Sequence, residues 1–431
     1  MATAYRFLCI LLAAVPVLAL TDDWLVQDVS AIAAALLLLF AMRASQEDLK
    51  ITVRLLQKIM LAILFPTAWM VLQIAPLNLF ANSIWPTASS ALNEPLTGYI
   101  SINPGATIRA LFEYLTMASL MVATMVFTRD RERAETTLFV ICAVTAFISV
   151  EILFGQFEPL AAIVPAPGNP ALATFIAICA LGAVINAAAA VRIIERRLSR
   201  REEAPITRSI LMFCLGLAGS AACLVAIVMA GAINIAIVAG FGIAVMLLVG
   251  ASRLIALPPV AAGVILAVFA VATAVIVGVR LEDKPAVVAM LGFATHALPD
   301  SLSVSERALS DVKWFGNGVG TFDTLVPIFR DFGGQPNVEP ASTIATIAIE
   351  WGRAALIALV LIAVQVFGIM LAGALRRGRD WFFPAAASGC LVVLFCEAFC
   401  DSSLTHPSSQ IVAAVVLGLG LSQIMGRTSG L

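Results

Sequence analysis

Apolar stretches of about 20 residues recur along this chain from end to end, and this repetition constrains its fold more than any other feature. One of them, residues 173–191, reads ATFIAICALGAVINAAAAV. A helix of that length crosses the roughly 30 Å hydrocarbon layer of a bilayer. Within that layer every backbone N–H and C=O must be satisfied by the chain itself, which leaves helices or closed barrels. Barrel strands would read as short alternating segments, and these runs are continuous. Composition agrees, since 61% of the 431 residues are hydrophobic and only 12% are charged. The surface of a soluble domain of this length needs about twice that charge. The expected fold class is therefore an all-α polytopic membrane protein.

Hydrophobic runs and polar breaks place spans near 5–20, 24–42, 59–80, 105–127, 136–157, 170–191, 209–230, 232–250, 255–279, 346–374, 381–400 and 408–425, twelve in all. The first run follows Arg6 and ends near Ala19 like a secretory signal, but another run follows at once, so it is read as a spanning helix. Between residues 209 and 250, Gly231 supplies nearly the whole turn.

Positive charge assigns the two sides. Arg6, RASQEDLKITVRLLQK, RDRER, RIIERRLSRREEAPITR, Arg253, RRGRD and Arg427 hold 19 of the 26 basic residues, and the connections TDD, EPLAAIVPAPGN and DSSLTHP hold none. Short basic connections stay in the cytoplasm, so both termini are expected there. Six of the other seven basic residues, Arg280, Lys284, Arg307, Lys313, Arg330 and Arg353, lie in or beside one long outer segment. The seventh, Arg109, follows a second outer segment that carries Trp85, Glu94 and Tyr99. The chain thus divides into nine spans over 1–279, a loop over 280–345 that caps an active site, and three spans over 346–431. Loops of this length are usually functional or disordered.

The net charge of −1 says nothing for or against acidic partners, and no nucleic-acid partner is expected. Eight cysteines within apolar runs, with no Cys-x-x-Cys, read as small buried hydrophobes. Two histidines, His296 and His406, are too few for a histidine-rich metal site. His296 is expected on a helix at the membrane surface, facing solvent, and His406 with Asp401 is expected to cap a span. The paired carboxylates of TDDW, Asp22 and Asp23, resemble the acidic motif of metal-dependent lipid-linked glycosyltransferases, but capping a loop explains them more simply.

The loop contains WFGNGVGTFDTLVPIFRDFGG, residues 314–334. Gly316, Gly318 and Gly320 allow a backbone to approach an anion closely or simply to turn. The Lys-Ser/Thr ending of a nucleotide-binding loop is missing, and nucleoside triphosphates are absent outside the cytoplasm. A phosphate met here arrives on a lipid.

An Arg-containing helix, WFGNGVGTF, VPIFRD and then EWG leading into a span, placed after the ninth span of twelve, resembles the O-antigen ligase and polymerase superfamily. The motif match is confined to roughly 305–353, while the architectural likeness covers most of the chain. The resemblance implies transfer of a saccharide from an undecaprenyl diphosphate carrier to a glycan or lipid hydroxyl at the periplasmic face, with no cofactor and no metal. The family usually carries a histidine shortly before the span that follows the loop. Ala341 occupies that position here, which favours polymerase over ligase and leaves Glu350, Asp331, Glu339 and His296 competing as the base.

That chemistry needs cations for the departing diphosphate, and arginine binds phosphate oxygens in pairs while staying protonated. Arg307, Arg353 and Arg330 are the catalytic candidates together with Glu350, which lies three residues from Arg353 and so on the same helix face. Arg280 and Arg109, with Gly316, Gly318 and Gly320, are candidate substrate contacts, and Trp314 and Phe322 are candidate stacking surfaces for sugar. Two alternatives stay open. A transporter or flippase fits the span count and a broken helix at Pro258-Pro259, and a non-catalytic binding subunit of a polysaccharide assembly system fits Ala341.

Overall fold

The computed structural model describes residues 2–21, 23–155, 170–198, 206–254, 290–295, 297–331, 338–377 and 380–425. Among the described residues there are helices and no strand. The N-terminal part comprises α1 (Ala2–Leu18), α2 (Asp23–Ala41), α3 (Gln46–Lys58), α4 (Met60–Ile74), α5 (Ile84–Leu92), α6 (Pro104–Phe127) and α7 (Arg131–Phe154). It is followed by α8 (Pro170–Leu198), α9 (Ile206–Met229) and α10 (Ile233–Leu254). Then come α11 (Pro299–Ser310), α12 (Phe322–Phe329), α13 (Thr343–Arg376), α14 (Phe382–Glu397) and α15 (Pro407–Ser422).

Among the described residues seven helices, α2, α6, α7, α8, α9, α10 and α13, are long and apolar enough to cross a membrane. The α3–α4 pair, bent by 65°, makes an eighth if it is one span, and α1, α14 and α15 are shorter apolar helices. The chain is thus a multi-pass helical protein suited to a bilayer. The expected span at 255–279 lies outside the described residues, as do Arg280, Lys284 and His296. Large apolar side chains face outward along the long helices, among them Ile32, Leu39, Phe112, Phe147, Leu215, Ile237 and Leu361. A contiguous apolar exterior of this kind belongs against lipid.

The bundle is built around α8. Of its span 94% is buried, against 22–44% for the other six long helices, and α7, α9, α10 and α14 surround it. Its sequence explains the position, because alanine and Gly182 let neighbouring backbones come close where no water drives helices together. Asn186 donates from Nδ2 to Thr145 Oγ1 (3.0 Å) on α7, and Ser220 Oγ of α9 donates to the Ala183 carbonyl (2.9 Å).

One stretch read as a connection is a helix. Ser45 caps α3 by accepting from Asp48 N (3.2 Å), and Thr52 and Leu55 are buried while Lys50, Arg54 and Lys58 are exposed. Its charges hid an amphipathic period that leads directly into α4.

The loop segment carries its own small core. Val304, Ala308 and Leu309 of α11 pack with Phe322, Leu325 and Val326 of α12 and with Val338, Ala341, Ala345 and Ile349. This body docks on one end of the bundle. Thr295 N donates to the Cys400 carbonyl, and Thr343 N to the Asp401 carbonyl, each at 2.7 Å. The opposite end gathers paired cations, where Glu135 bridges Arg131 (3.0 Å), Arg192 (2.6 Å) and Arg196, and Arg131 also meets Asp380 at 3.0 Å.

The close approach of α7 and α8 is testable. A Cβ at Gly182 would sit 2.4 Å from Thr145 Cβ, whereas one at Gly240 meets nothing within 4 Å. Gly182→Ala is expected to destabilise by about 1–3 kcal/mol, seen as a lower thermal midpoint in detergent. Gly240→Ala should leave that midpoint unchanged or raise it.

Candidate functional site

The glycine loop folds onto a break in α13. Gly352 has φ 85° and ψ 171°, a conformation open to glycine and costly for other residues. The break strips backbone groups of their helical partners, and the loop replaces them. Asn317 N donates to the Ile349 carbonyl (3.2 Å) and Gly318 N to that of Glu350 (3.0 Å). In return Arg353 N and Ala354 N donate to the carbonyls of Lys313 and Trp314, both at 3.2 Å. Space is as tight as bonding, since a Cβ at Gly316 would lie 2.1 Å from the Glu350 carbonyl oxygen and one at Gly318 2.2 Å from Ser101 Oγ.

Gln73, fully buried on α4, completes the joint. Its Nε2 donates to the carbonyls of Phe315 (2.9 Å) and Glu350 (3.0 Å), and its Oε1 accepts from Val319 N (3.1 Å). The Glu350 carboxylate accepts from Gly320 N and Phe322 N, both at 2.9 Å, at the start of α12. An anion is favoured at a helix N-terminus, where amides lack partners. Here that anion is the chain's own side chain, so the Gly318 and Gly320 amides are already engaged.

The sequence-predicted cations sit around this joint without converging on one atom. Arg307 donates to the Phe329 carbonyl (2.9 Å) and pairs with Asp331 at 2.8 Å, tying α11 to the end of α12. Arg109, Arg330 and Arg353 are exposed, and among the described residues none of them has an ion-pair partner. The expected same-face pairing of Glu350 with Arg353 does not form, because the turn at Gly352 rotates the two apart. Trp314 is exposed. Phe322 is 4% exposed and packs in the loop's core, so it offers no face to a sugar. Arg280 lies outside the described residues.

A second constellation at the same end escaped the sequence reading. His406, just before α15, meets Asp23 at the start of α2 with Nδ1 2.9 Å from Oδ2. Its Nε2 is buried and has no hydrogen-bond partner among the described residues. Glu113 of α6 lies within electrostatic reach of both and accepts from Gln27 Nε2 (3.2 Å). Glu339 joins them, feeling the charges of His406, Asp23 and Asp323. Asp401 accepts from Ser403 N at 3.0 Å in the turn before His406.

Glu339 is exposed at the surface, and partial desolvation by its surroundings raises its carboxyl above the ordinary range. Burial pushes Asp401 up to about 6, against the hydrogen bonds from Ser403. For His406 burial opposes protonation, but the hydrogen bond and charge of Asp23, helped by Glu339 and Asp401, outweigh it and raise the imidazole. The available signal was a glutamine and a glutamate within apolar spans, Gln27 and Glu113, since intramembrane polar groups mark sites by default. The 383-residue separation of Asp23 and His406 hid their pairing.

Two outcomes follow. Glu350→Ala strands the Gly320 and Phe322 amides and is expected to destabilise by about 1–3 kcal/mol. Faster amide hydrogen exchange over 320–326 is the measurement, and Glu350→Gln, which keeps one acceptor, should show a smaller change. The His406 pair sets a pH dependence. Because its folded pKa lies above the unfolded value of 6.5, its stabilisation is complete below that pH and fades as pH rises through the folded value. Asp23 is half exposed, so the contribution is below about 1 kcal/mol. The thermal midpoint of Asp23→Asn should fall below wild type near pH 5.5 and rejoin it in alkaline buffer. The chain matches no protein-family model and no curated protein is similar to it, so the role of these residues has to be argued from their chemistry.

Proposed function

We propose that this chain is a bacterial inner-membrane glycosyltransferase of the O-antigen polymerase or ligase kind. It moves a saccharide from undecaprenyl diphosphate to a hydroxyl of a glycan or lipid, with the loop-bearing end in the periplasm and both termini in the cytoplasm. The twelve crossings would be made by α1, α2, the α3–α4 pair, α6 to α10, α13 to α15 and the stretch 255–279. The gathering of Arg131, Arg192 and Arg196 at the other end supports this orientation.

One observation carries the reading. Arg109, in the second turn of α6, and Arg353, just past the break in α13, are exposed cations at the same end of apolar helices. A lipid carrier held by its prenyl chain in the bilayer presents its diphosphate at that level. The loop, locked down through Glu350, adds Arg330 and leaves Trp314 open for a sugar face. Preorganised donors that meet charge as it develops on a leaving group supply the largest catalytic term in many enzymes. In this reading the glycines hold the loop, and Glu350, engaged by two amides, is structural.

A transporter is the second reading, and one observation favours it. Glu397, at the end of α14, is fully buried with neither carboxylate oxygen hydrogen-bonded among the described residues. Buried carboxyls of this kind serve proton-coupled carriers.

One experiment separates the two. Purified protein in liposomes is given lipid-linked saccharides extracted from the bacterium that encodes it, with unlabelled acceptor glycan. Transfer or lengthening is expected, and Arg109→Ala and Arg353→Ala should each lower its rate about 10²-fold or more. Saccharide that crosses the bilayer unchanged would favour the transporter. Variants with wild-type rates would remove the arginine site.

A further inference from the structure

Transfer to a hydroxyl releases a proton, and the groups first expected to take it are poorly placed. Glu350 accepts two backbone amides, Asp331 is tied to Arg307, and Ala341 is 2% exposed in the loop's apolar core. The His406 constellation has the missing features. Asp23 accepts from Nδ1–H, a hydrogen bond that leaves the lone pair of the neutral imidazole on Nε2. That nitrogen is buried and has no partner among the described residues, which is unusual for a polar atom unless something binds there during function.

Its position fits the diphosphate site. Glu113 is within electrostatic reach of His406, and Arg109 lies four residues earlier on the same helix. Residues so spaced share one face, about 6 Å apart. Arg109 therefore stands one helical turn from Glu113, the carboxyl that feels His406.

Resting on the glycosyltransferase reading, we propose that His406 is the general base of the reaction, with Asp23 as the residue that positions it and Glu339 as an acceptor for further hydroxyls of the incoming sugar. The acceptor oxygen attacks the anomeric carbon of the donor. The carbon–oxygen bond to the diphosphate breaks with its electron pair leaving on the diphosphate, which Arg109 and Arg353 receive. The hydroxyl proton passes to His406 Nε2 and from there to solvent. Asp23, Glu113, Glu339 and Asp401 face the imidazole from α2, α6, the stretch before α13 and the turn before α15. All four are acidic, and with the Asp23 hydrogen bond they raise the imidazole above its ordinary value, so transfer is slow in acid and rises with pH.

The test is the pH–rate profile of transfer from lipid-linked saccharide between pH 5.5 and 9 for wild type, His406→Gln and Asp23→Asn. Wild type should rise to a plateau through one ionisation above 6.5, the ordinary value. His406→Gln should lose that ionisation and about 10²–10⁴-fold in rate. Asp23→Asn should move the ionisation to lower pH and lower the plateau. If wild type transfers while His406→Gln keeps its rate and profile, the base assignment is wrong and the glycosyltransferase reading stands. If wild type transfers nothing, that reading fails and takes the base with it. Should a variant not fold, nitrogen-15 NMR of histidine-labelled wild type decides. At pH 9 His406 should show an unprotonated Nε2, and a proton on that nitrogen would overturn the proposal.

Discussion

The loop-bearing end of this protein depends on one buried carboxylate. Glu350 enters a region of apolar packing, where an uncompensated charge is costly, and is held by the amides of Gly320 and Phe322. The same residue's carbonyl accepts from Gly318 N and from Gln73. Side chain and backbone of one residue thus join α4, the glycine loop, α12 and the broken α13. Without this joint the break at Gly352 would leave amides and carbonyls stranded near the membrane, and the loop segment would have no fixed seat. With it, exposed side chains on the loop and on the helices are held in one frame, which a catalytic or binding arrangement requires.

Charge is distributed unequally between the two ends. At one end guanidinium groups and carboxylates are matched, and Glu135 alone meets three arginines. At the other, the cations Arg109, Arg330 and Arg353 are exposed and have no ion-pair partner among the described residues, and carboxyls cluster around His406. Matched charge serves orientation and packing. Separated charge, with acid groups drawn off their ordinary pKa values, is typical of sites that handle anions and protons.

The seven long spans were legible because the bilayer imposes a local rule. Residues 24–42 and 105–127 read as spans and form Asp23–Ala41 and Pro104–Phe127, since apolar length alone decides them. The site was less legible. Glu350 and Arg353 have the spacing of a helical pair, but a positive φ at Gly352 breaks the period between them, and that φ exists only because the loop backbone is there to receive the freed groups. Gly316, Gly318 and Gly320 were visible as a tight backbone, although their closest neighbours turn out to be Glu350, Ser101 and Ala106 of this chain. Phe322 looked like a stacking surface because sequence does not tell which side of a short helix is covered. Asp23 and His406 each resembled a helix cap, and only the packing of α2 beside α15 makes them a pair.

Ala341 then takes on a different meaning. A histidine there would place a polar ring among Val304, Leu309, Val338 and Ala345, and its unpartnered nitrogens would weaken the small core that supports the loop. Ala341 keeps that core apolar, and its amide donates to Ser305 Oγ at 3.1 Å, so the loop is a rigid support. In the proposed transfer, proton chemistry belongs to the turn before α15, where Asp401 and Ser403 shape the backbone and Asp23 meets the ring. Separating support from chemistry in this way fits the chemistry itself. In the proposed transfer the diphosphate is a good leaving group, so a base that removes the hydroxyl proton late, from a neighbouring element, would suffice.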